Sequence, residues 1–355
     1  MKDLLKEILK LLDKNNIDSL IIKHPANVSY LSGFNAREAV ILVSHKQSFF
    51  ITDFRYLGEA KIYLKNKNLK IECVTKNNSL GLVTDLIKKL RLKRIGFEAQ
   101  KINFVEYKYL LKNSCGFFKI IPTFNLVEIL RVKKSECEIS KIKTSVLKLV
   151  NIFKDIKNIL RPQITEIELA AEIEKMIRNI STRPPAFEPI IASGLQSSLP
   201  HAISTKNKIN KTSPILVDIG LDLSGYKSDL TRVFFLSKIS RKISKIYDIV
   251  KFAQEKAIEN IKPGVSCNYI DRIARNIIEN KGFGKFFGHS LGHGIGLEVH
   301  ENPSINPINT QPLEEGMVIT IEPAIYLPGE FGIRLEDMVL VTKTNYEVLS
   351  GSLSK

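Results

Sequence analysis

Cysteine is scarce in this chain, and its four copies form no pair. Cys73, Cys115, Cys137 and Cys267 are widely separated and make no CxxC motif, so they read as reduced, mostly buried thiols in a reducing compartment. Long hydrophobic runs are missing too. No stretch approaches the ~18 consecutive apolar residues that a membrane-spanning helix needs. The opening segment MKDLLKEILKLLDKN places leucines at helical spacing but breaks them with charges, an amphipathic helix and not the apolar core of a signal peptide. The cytoplasm is the expected location. There is no internal repeat, no low-complexity segment and no run of basic residues interleaved with aromatics. That last absence decides how to read the formal net charge of +16. A basic excess can signal nucleic acid or an anionic membrane surface. Here the lysines stand singly or in pairs, and the densest stretch, KKLRLKR (88–94), alternates with leucine like a helix end running into a strand. The excess is spread over solvated faces, and neither nucleic acid nor membrane is an expected partner.

What is present suits a two-domain protein. The chain has 355 residues, of which 44% are apolar and 8% aromatic, enough to bury real cores. The first part alternates helix and strand: a helix over residues 2–13, strands at 19–22, 39–43 and 48–51, a helix at 55–64, a strand at 70–74, a helix at 80–92 and a strand at 94–98. That alternation predicts an α/β domain over residues 1–125. The remainder, 126–355, reads as α+β. A long helix spans about 135–160, with Ile139, Ile142, Val146, Leu149, Ile152 and Ile156 at near-helical spacing, and Arg161-Pro162 ends it. Thr165-Glu166-Ile167-Glu168 has the form of a capping box. Further helices are expected at about 240–261 and 266–280, beside hairpins.

Those hairpins carry the chemistry. PILVDIGLDLSGYKSDLTRVFFL (214–236) reads as one hairpin, and a turn between Leu223 and Ser224 would put Asp218 directly opposite Asp229. MVITIEPAIY (317–326) and GIRLEDMVLV (332–341) read as a second pair of strands, and a turn centred on Gly329 would put Glu322 opposite Glu336. Like charges facing each other across strands are destabilising. Asp218 and Glu322 also sit inside apolar runs of the kind buried on both faces, where an unpaired carboxylate is costly. Two such pairs call for cations, and two divalent ions ~3.5–4 Å apart would bridge them. Arg334 shares a strand face with Glu336 and is a candidate to orient a carboxylate. His293 lies in the glycine-rich run GHSLGHGIGLEVHENP (288–303), which holds His289, His293 and His300, three of only six histidines in the chain. His201 precedes the first acidic strand. One histidine with four carboxylates is an oxygen-rich set that suits Mn²⁺, Co²⁺, Fe²⁺ or Zn²⁺ and argues against a Mg²⁺ or Ca²⁺ cage. The implied reaction is amide hydrolysis.

These motifs resemble the pita-bread metallopeptidases, which include methionine aminopeptidase, aminopeptidase P and prolidase. The resemblance rests on VDIGLDLSGYKSDLTR (217–232), GHSLGHGIGLEVHENP and GMVITIEPAIYLPGEFGIRLEDMVLVT (316–342). It implies a pita-bread catalytic domain over residues 126–355, preceded by a smaller creatinase-type α/β domain. It also implies two divalent metal ions per subunit, Mn²⁺ first. By the same resemblance Asp229 and Glu336 bridge the ions, Asp218 holds one, and His293 and Glu322 hold the other. Glu322 also handles the proton of the attacking water. His201 and His300 position substrate, His289 lies near the scissile bond, and Tyr326 and Arg334 support the proline-specific members. The N-terminal domain and the segment ITDFRYLGEAK (51–61) point to an Xaa-Pro aminopeptidase acting as a homodimer on short peptides with proline second. The alternative is a prolidase, which cleaves Xaa-Pro dipeptides, and a non-catalytic binding module comes last. Ala324 and Ala202 stand where the family usually carries glycine.

Overall fold

Strands with unbroken apolar sequence are covered on both faces, and that rule builds the first half of the molecule. In the computed structural model, which describes residues 4–34, 38–65, 67–74 and 78–355, the chain divides into two units, Met1–Arg131 and Val132–Lys355. The first unit holds a six-stranded mixed sheet made of β1 (Ser19–Ile22), β2 (Ala39–Ser44), β3 (Phe49–Asp53), β4 (Lys70–Val74), β5 (Arg94–Glu98) and β6 (Lys119–Thr123), in the order β4-β3-β2-β1-β5-β6. The sequences SLII, AVILVS and FFITD of its middle strands are buried throughout. Alternate residues feed two cores. Leu20, Ile22, Ile41, Val43 and Phe50 pack with α1 (Leu4–Lys14), α2 (Pro25–Ser32) and α3 (Phe54–Tyr63). Ile21, Val40, Leu42 and Ile51 pack with α4 (Ser79–Lys89) and α5 (Phe104–Ser114).

The first unit runs past residue 125, the edge read from sequence, because α6 (Glu128–Arg131) belongs to it. Val127 is buried in the α1–α3 core. Asn27 donates to Glu128, Arg131 donates to Asn27, and the Tyr30 hydroxyl donates to the Leu130 carbonyl. The expected helix over residues 2–13 begins among residues outside the described set and is seen from Leu4. The cysteines depart from expectation: Cys267 is buried, but Cys115 and Cys137 are exposed. Among the described residues no helix is long and apolar enough to cross a membrane.

In the second unit, α7 (Glu136–Ile159) and α8 (Glu166–Ile180) each open on a complete capping box, from Ser135 and Thr165. Their apolar faces pack on β8 (Ile215–Leu223) and β9 (Tyr226–Phe234), which with β7 (Ile190–Ser193) form one sheet. Helices α9 (Arg241–Glu259) and α10 (Cys267–Asn280) pack on the strands that follow. Strands β10 (Gly292–Gly294), β11 (Glu301–Ile305), β12 (Val318–Ile321), β15 (Asp337–Val341) and β16 (Tyr346–Val348) make a second sheet, in the order β11-β10-β12-β15-β16. Strands β13 (Ala324–Leu327) and β14 (Phe331–Arg334) pair separately.

Two details of register place the acids. The β8–β9 hairpin turns through two residues, Ser224 and Gly225, with φ of 54° and 90°. Two left-handed residues match the twist of the strands. The turn therefore lies one residue later than a turn between Leu223 and Ser224. Asp218 pairs with Thr231 and Asp229 with Gly220. The two aspartates are diagonal neighbours on one face, not directly opposite. The second pair of strands keeps the register of a turn centred on Gly329, from Ala324↔Arg334 to Ile321↔Asp337. It is not one continuous hairpin, however. The ladder breaks at Glu322-Pro323 and Leu335-Glu336, where Pro323 has no N–H to donate. The Glu322 amide instead donates to the Leu291 carbonyl at 2.7 Å, and the Glu336 amide to the Thr231 carbonyl at 3.2 Å. Glu322 and Glu336 stay level with each other at a point where three sheets meet.

Strand β14 reaches this junction by passing very close to the turn Gly194–Ser198. A Cβ on Gly332 would lie 2.0 Å from the Ser197 carbonyl oxygen, and the Gly332 amide donates to Ser197 Oγ at 2.9 Å. Gly332→Ala should therefore lower stability by roughly 1–3 kcal/mol, the usual cost of overpacking. Urea unfolding reads this, and an unchanged midpoint would contradict the close approach.

Candidate metal centre

The junction gathers the five candidate ligands. Asp229, His293 and Glu336 each present one ligand atom, and these atoms lie within 4.8 Å of one another. His293 Nε2 is 3.3 Å from Glu322 Oε1 and 3.8 Å from Asp229 Oδ2. Its other nitrogen, Nδ1, lies 3.0 Å from the Gly294 carbonyl. A carbonyl only accepts, so Nδ1 carries the proton and Nε2 is left to face the acids. The glycines flanking His293 are required by close backbone approach. A Cβ on Gly292 would lie 1.9 Å from the Thr320 oxygen, and one on Gly294 would lie 2.2 Å from the Asn302 oxygen.

The acids are buried and incompletely paired. Asp218 Oδ1, Asp229 Oδ1 and Glu336 Oε1 are buried with no hydrogen-bond partner. Buried oxygens of this kind are rare, and three in one cluster fit a bound cation. The opposite oxygens are taken: Arg334 Nη2 donates to Asp218 Oδ2, and Thr231 Oγ1 donates to Glu336 Oε2 at 2.8 Å. Titration follows this layout. Burial, then the neighbouring Asp218 charge, pushes Asp229 well above the usual carboxylate range. Burial, then Asp229, does the same to Glu336. Burial also raises Asp218, against the opposing pull of Arg334. Burial alone would raise Glu322, but the hydrogen bond and charge of His293 outweigh it and hold that carboxyl below its ordinary value. Burial would likewise depress His293, yet the hydrogen bond and charge of Glu322, with Asp229 behind them, raise it to about 9. Without a cation the cluster holds protons that ions would displace.

The remaining candidates form a rim. Arg334 is buried, and the carboxylate it orients is Asp218, not its strand-mate Glu336. Its Nη1 donates to the Tyr326 hydroxyl at 2.6 Å and to the Pro200 carbonyl at 3.1 Å. The second bond anchors the segment that carries His201, whose own side chain is exposed. His289 Nδ1 donates to the Ser290 carbonyl at 2.7 Å, so its Nε2 accepts from the Tyr326 hydroxyl at 3.3 Å. An ordered line thus runs His289–Tyr326–Arg334–Asp218. The ring of His300, at an exposed position, stands 4.4 Å from that of His293 and tilted by 70°. Burial lowers the pKa of His289, and partial desolvation of its ring, then the charge of His293, lowers that of His300.

Two threonines belong to the site and are missing from the sequence reading. Thr231 bonds Glu336 and accepts from Arg334 Nε at 3.2 Å. Thr320 Oγ1 accepts from the His293 amide at 3.1 Å and lies 3.4 Å from Glu322 Oε1. The available signal was spacing, since each stands two residues from a candidate acid on the same strand face.

Residues 140–343 match the family model for Metallopeptidase family M24, and residues 5–133 match that of the Creatinase/Prolidase N-terminal domain. An Xaa-Pro dipeptidase of Pyrococcus horikoshii is 33% identical over 353 residues, which cover 99% of this chain and 97% of that protein. The structure of an Xaa-Pro dipeptidase from Bacillus anthracis aligns with a TM-score of 0.94 at 33% identity, covering 99% of this chain and 98% of the other. That of an X-Pro aminopeptidase from Thermotoga maritima aligns with a TM-score of 0.87, also at 33% identity, covering 98% and 97%.

The titration pattern sets a pH dependence. The His293 ion pair contributes fully below the ordinary imidazole value of 6.5 and is lost as pH rises through about 9. Asp229 and Glu336 act in the same direction, because each holds in the folded chain a proton it would release on unfolding. Metal-free protein should therefore lose thermal stability as pH rises from 6.5 to about 9. Divalent metal binding at neutral pH should release protons, since coordinating groups must be deprotonated. Calorimetric Mn²⁺ titrations in two buffers of different ionisation heat measure that release. Equal apparent enthalpies in both buffers would contradict it.

Proposed function

Because the chain belongs to metallopeptidase family M24, we propose that it is a dinuclear Xaa-Pro dipeptidase, hydrolysing the bond before proline in dipeptides. The observation that carries the chemistry is the set of three orphaned carboxylate oxygens beside His293. The full-length likeness to Xaa-Pro dipeptidases supports the substrate class and corrects the order read from the sequence, which put the aminopeptidase first. That order leaned on residues 51–61, which form β3 and α3 of the first unit and hold none of the candidate site residues. A homodimer and a cytoplasmic location complete the proposal and rest on the resemblance and the composition.

In this reading Asp229 and Glu336 would serve both of two divalent ions, Mn²⁺ before Co²⁺, Zn²⁺ or Fe²⁺, while Asp218 would help hold one and His293 and Glu322 the other. When bound, the ions supply Lewis acidity toward the scissile carbonyl and the attacking water. The chain's own groups do the rest. Glu322, whose carboxyl His293 holds below its ordinary value in the metal-free chain, would take a proton from the attacking water and return it to the proline nitrogen as that bond breaks. Arg334 fixes Asp218 through one nitrogen and Tyr326 through another. His289, oriented by Tyr326, faces the substrate from one side, and His201 and His300 face it from the exposed rim. The bond before proline is a tertiary amide without N–H, so the site needs no acceptor there.

Ala-Pro and Ala-Pro-Ala, assayed side by side after Mn²⁺ loading, separate the readings. Alanine should be released from the dipeptide at a rate at least about tenfold above that from the tripeptide, a gap of one or more kcal/mol in transition-state binding. Tripeptide cleavage at a comparable rate would restore the aminopeptidase. Cleavage of neither would remove both.

A further inference from the structure

The segment that delivers His289 to the site has no regular structure of its own. Residues 287–291 lie between a short 3-10 turn and β10 and include Gly288, so nothing in their local sequence selects one backbone path. The path is imposed from α10. Asp271, on that helix, is fully buried, and Arg275 stands one turn later, the favourable acid-before-base order. The guanidinium grips the carboxylate with two nitrogens, Nε to Oδ2 at 2.7 Å and Nη2 to Oδ1 at 2.8 Å. A pair that served the helix alone would stop there. Arg275 instead reaches across to the loop: Nη1 donates to the Phe287 carbonyl at 3.0 Å and Nη2 to the His289 carbonyl at 2.9 Å. Asp271 Oδ1 in turn accepts from the Leu291 amide at 3.2 Å. The guanidinium also lies over the Phe287 ring, 4.3 Å from its centroid. One pair, a buried Asp271 and a half-buried Arg275, therefore holds residues 287, 289 and 291. The far side of that segment faces the site. The Leu291 carbonyl accepts from the Glu322 amide at 2.7 Å, and the His289 ring meets Tyr326.

We propose that Asp271 and Arg275 are positioning residues of this enzyme, a clamp that sets the backbone of residues 287–291 and through it the placement of His289 and Glu322. The pair touches no candidate ligand atom and acts at one remove. Its catalytic consequence rests on the dipeptidase reading, whereas its structural consequence does not. Displacement of a catalytic group by about 1 Å can slow turnover by two orders of magnitude, so a loosened clamp should show in kcat before it shows in metal content or in KM.

The test uses Arg275→Lys, which keeps the charge and the stem but cannot present a two-pronged planar fork, and Asp271→Asn as a second variant. Amide hydrogen exchange at Leu291 and Glu322 should quicken by about tenfold or more, while the amides of α10 keep their wild-type protection. On Ala-Pro, kcat should fall by about tenfold or more with KM within about threefold and bound metal unchanged. Combined with His289→Ala, Arg275→Lys should slow turnover by much less than the product of the two single effects. Wild-type exchange at Leu291 and Glu322, or fully multiplicative losses in the double variant, would overturn the clamp. So would unfolding of α10 in both variants, which would make the pair a strut of the helix. Exchange needs no substrate, so a wild-type protein inactive on Ala-Pro would remove the dipeptidase reading and leave the clamp to stand or fall on exchange.

Discussion

Four carboxylates converge in the interior of the second unit, and the protein supplies too little positive charge to balance them. Arg334 and His293 are the cationic partners at the cluster, and Arg334 is committed to Asp218. Buried charges left in this state are expensive, and the folded chain answers by holding protons on Asp229 and Glu336. Every other feature of the site can be understood as tolerating that arrangement until divalent ions relieve it. The orphaned oxygens, the raised carboxyls and the inward Nε2 of His293 are three views of one electrostatic deficit.

Holding like charges together requires a frame that does not relax. The second unit builds one from strands that change partners at the site. Breaks at Glu322-Pro323 and Leu335-Glu336 free those glutamates from the ladder, and the Leu291 and Thr231 carbonyls then take up their amides. Glycines at 292 and 294 bring β10 nearer its neighbours than any side chain would allow. Thr231 and Thr320 lock the side chains from behind. The capping boxes of α7 and α8 and the apolar cores beneath the sheets have no chemical part, yet they fix the strands whose ends carry the acids. Function lives in the site and not in the fold, but here the site is the point where the sheets fail to continue.

Much of this is legible in the sequence because burial leaves a pattern. An aspartate inside PILVDIG and a glutamate inside VITIEPAI announce themselves as anomalies in apolar runs, and the helix over Glu136–Ile159 follows from its spacing and caps. The register of the first hairpin was misplaced because a turn between Leu223 and Ser224 ignores backbone chirality. Ser224 and Gly225 are the residues that take positive φ. Helices α2 and α5 and strand β6 have weaker periodicity than their neighbours and go unread, and α6 is a single turn held by Asn27. Thr231 and Thr320 offer only their two-residue spacing from Asp229 and Glu322, and Asp271 and Arg275 only their helical spacing. Apart from Glu322, two residues from Thr320, and the Asp271–Arg275 pair, one helical turn apart, their partners stand 12 to 105 residues away, and no local pattern encodes such a contact. The exposed Cys115 and Cys137 show that cysteine scarcity says little about burial.

Asp218, Asp229, His293, Glu322 and Glu336 are proposed to hold two divalent ions. Native mass spectrometry of the Mn²⁺-loaded chain, with Asp229→Asn beside it, tests that assignment without reference to substrate. Two ions per wild-type chain are expected, and one or none in the variant with its fold intact. Wild-type protein that retains no ion, or a variant that still retains two, would contradict the assignment.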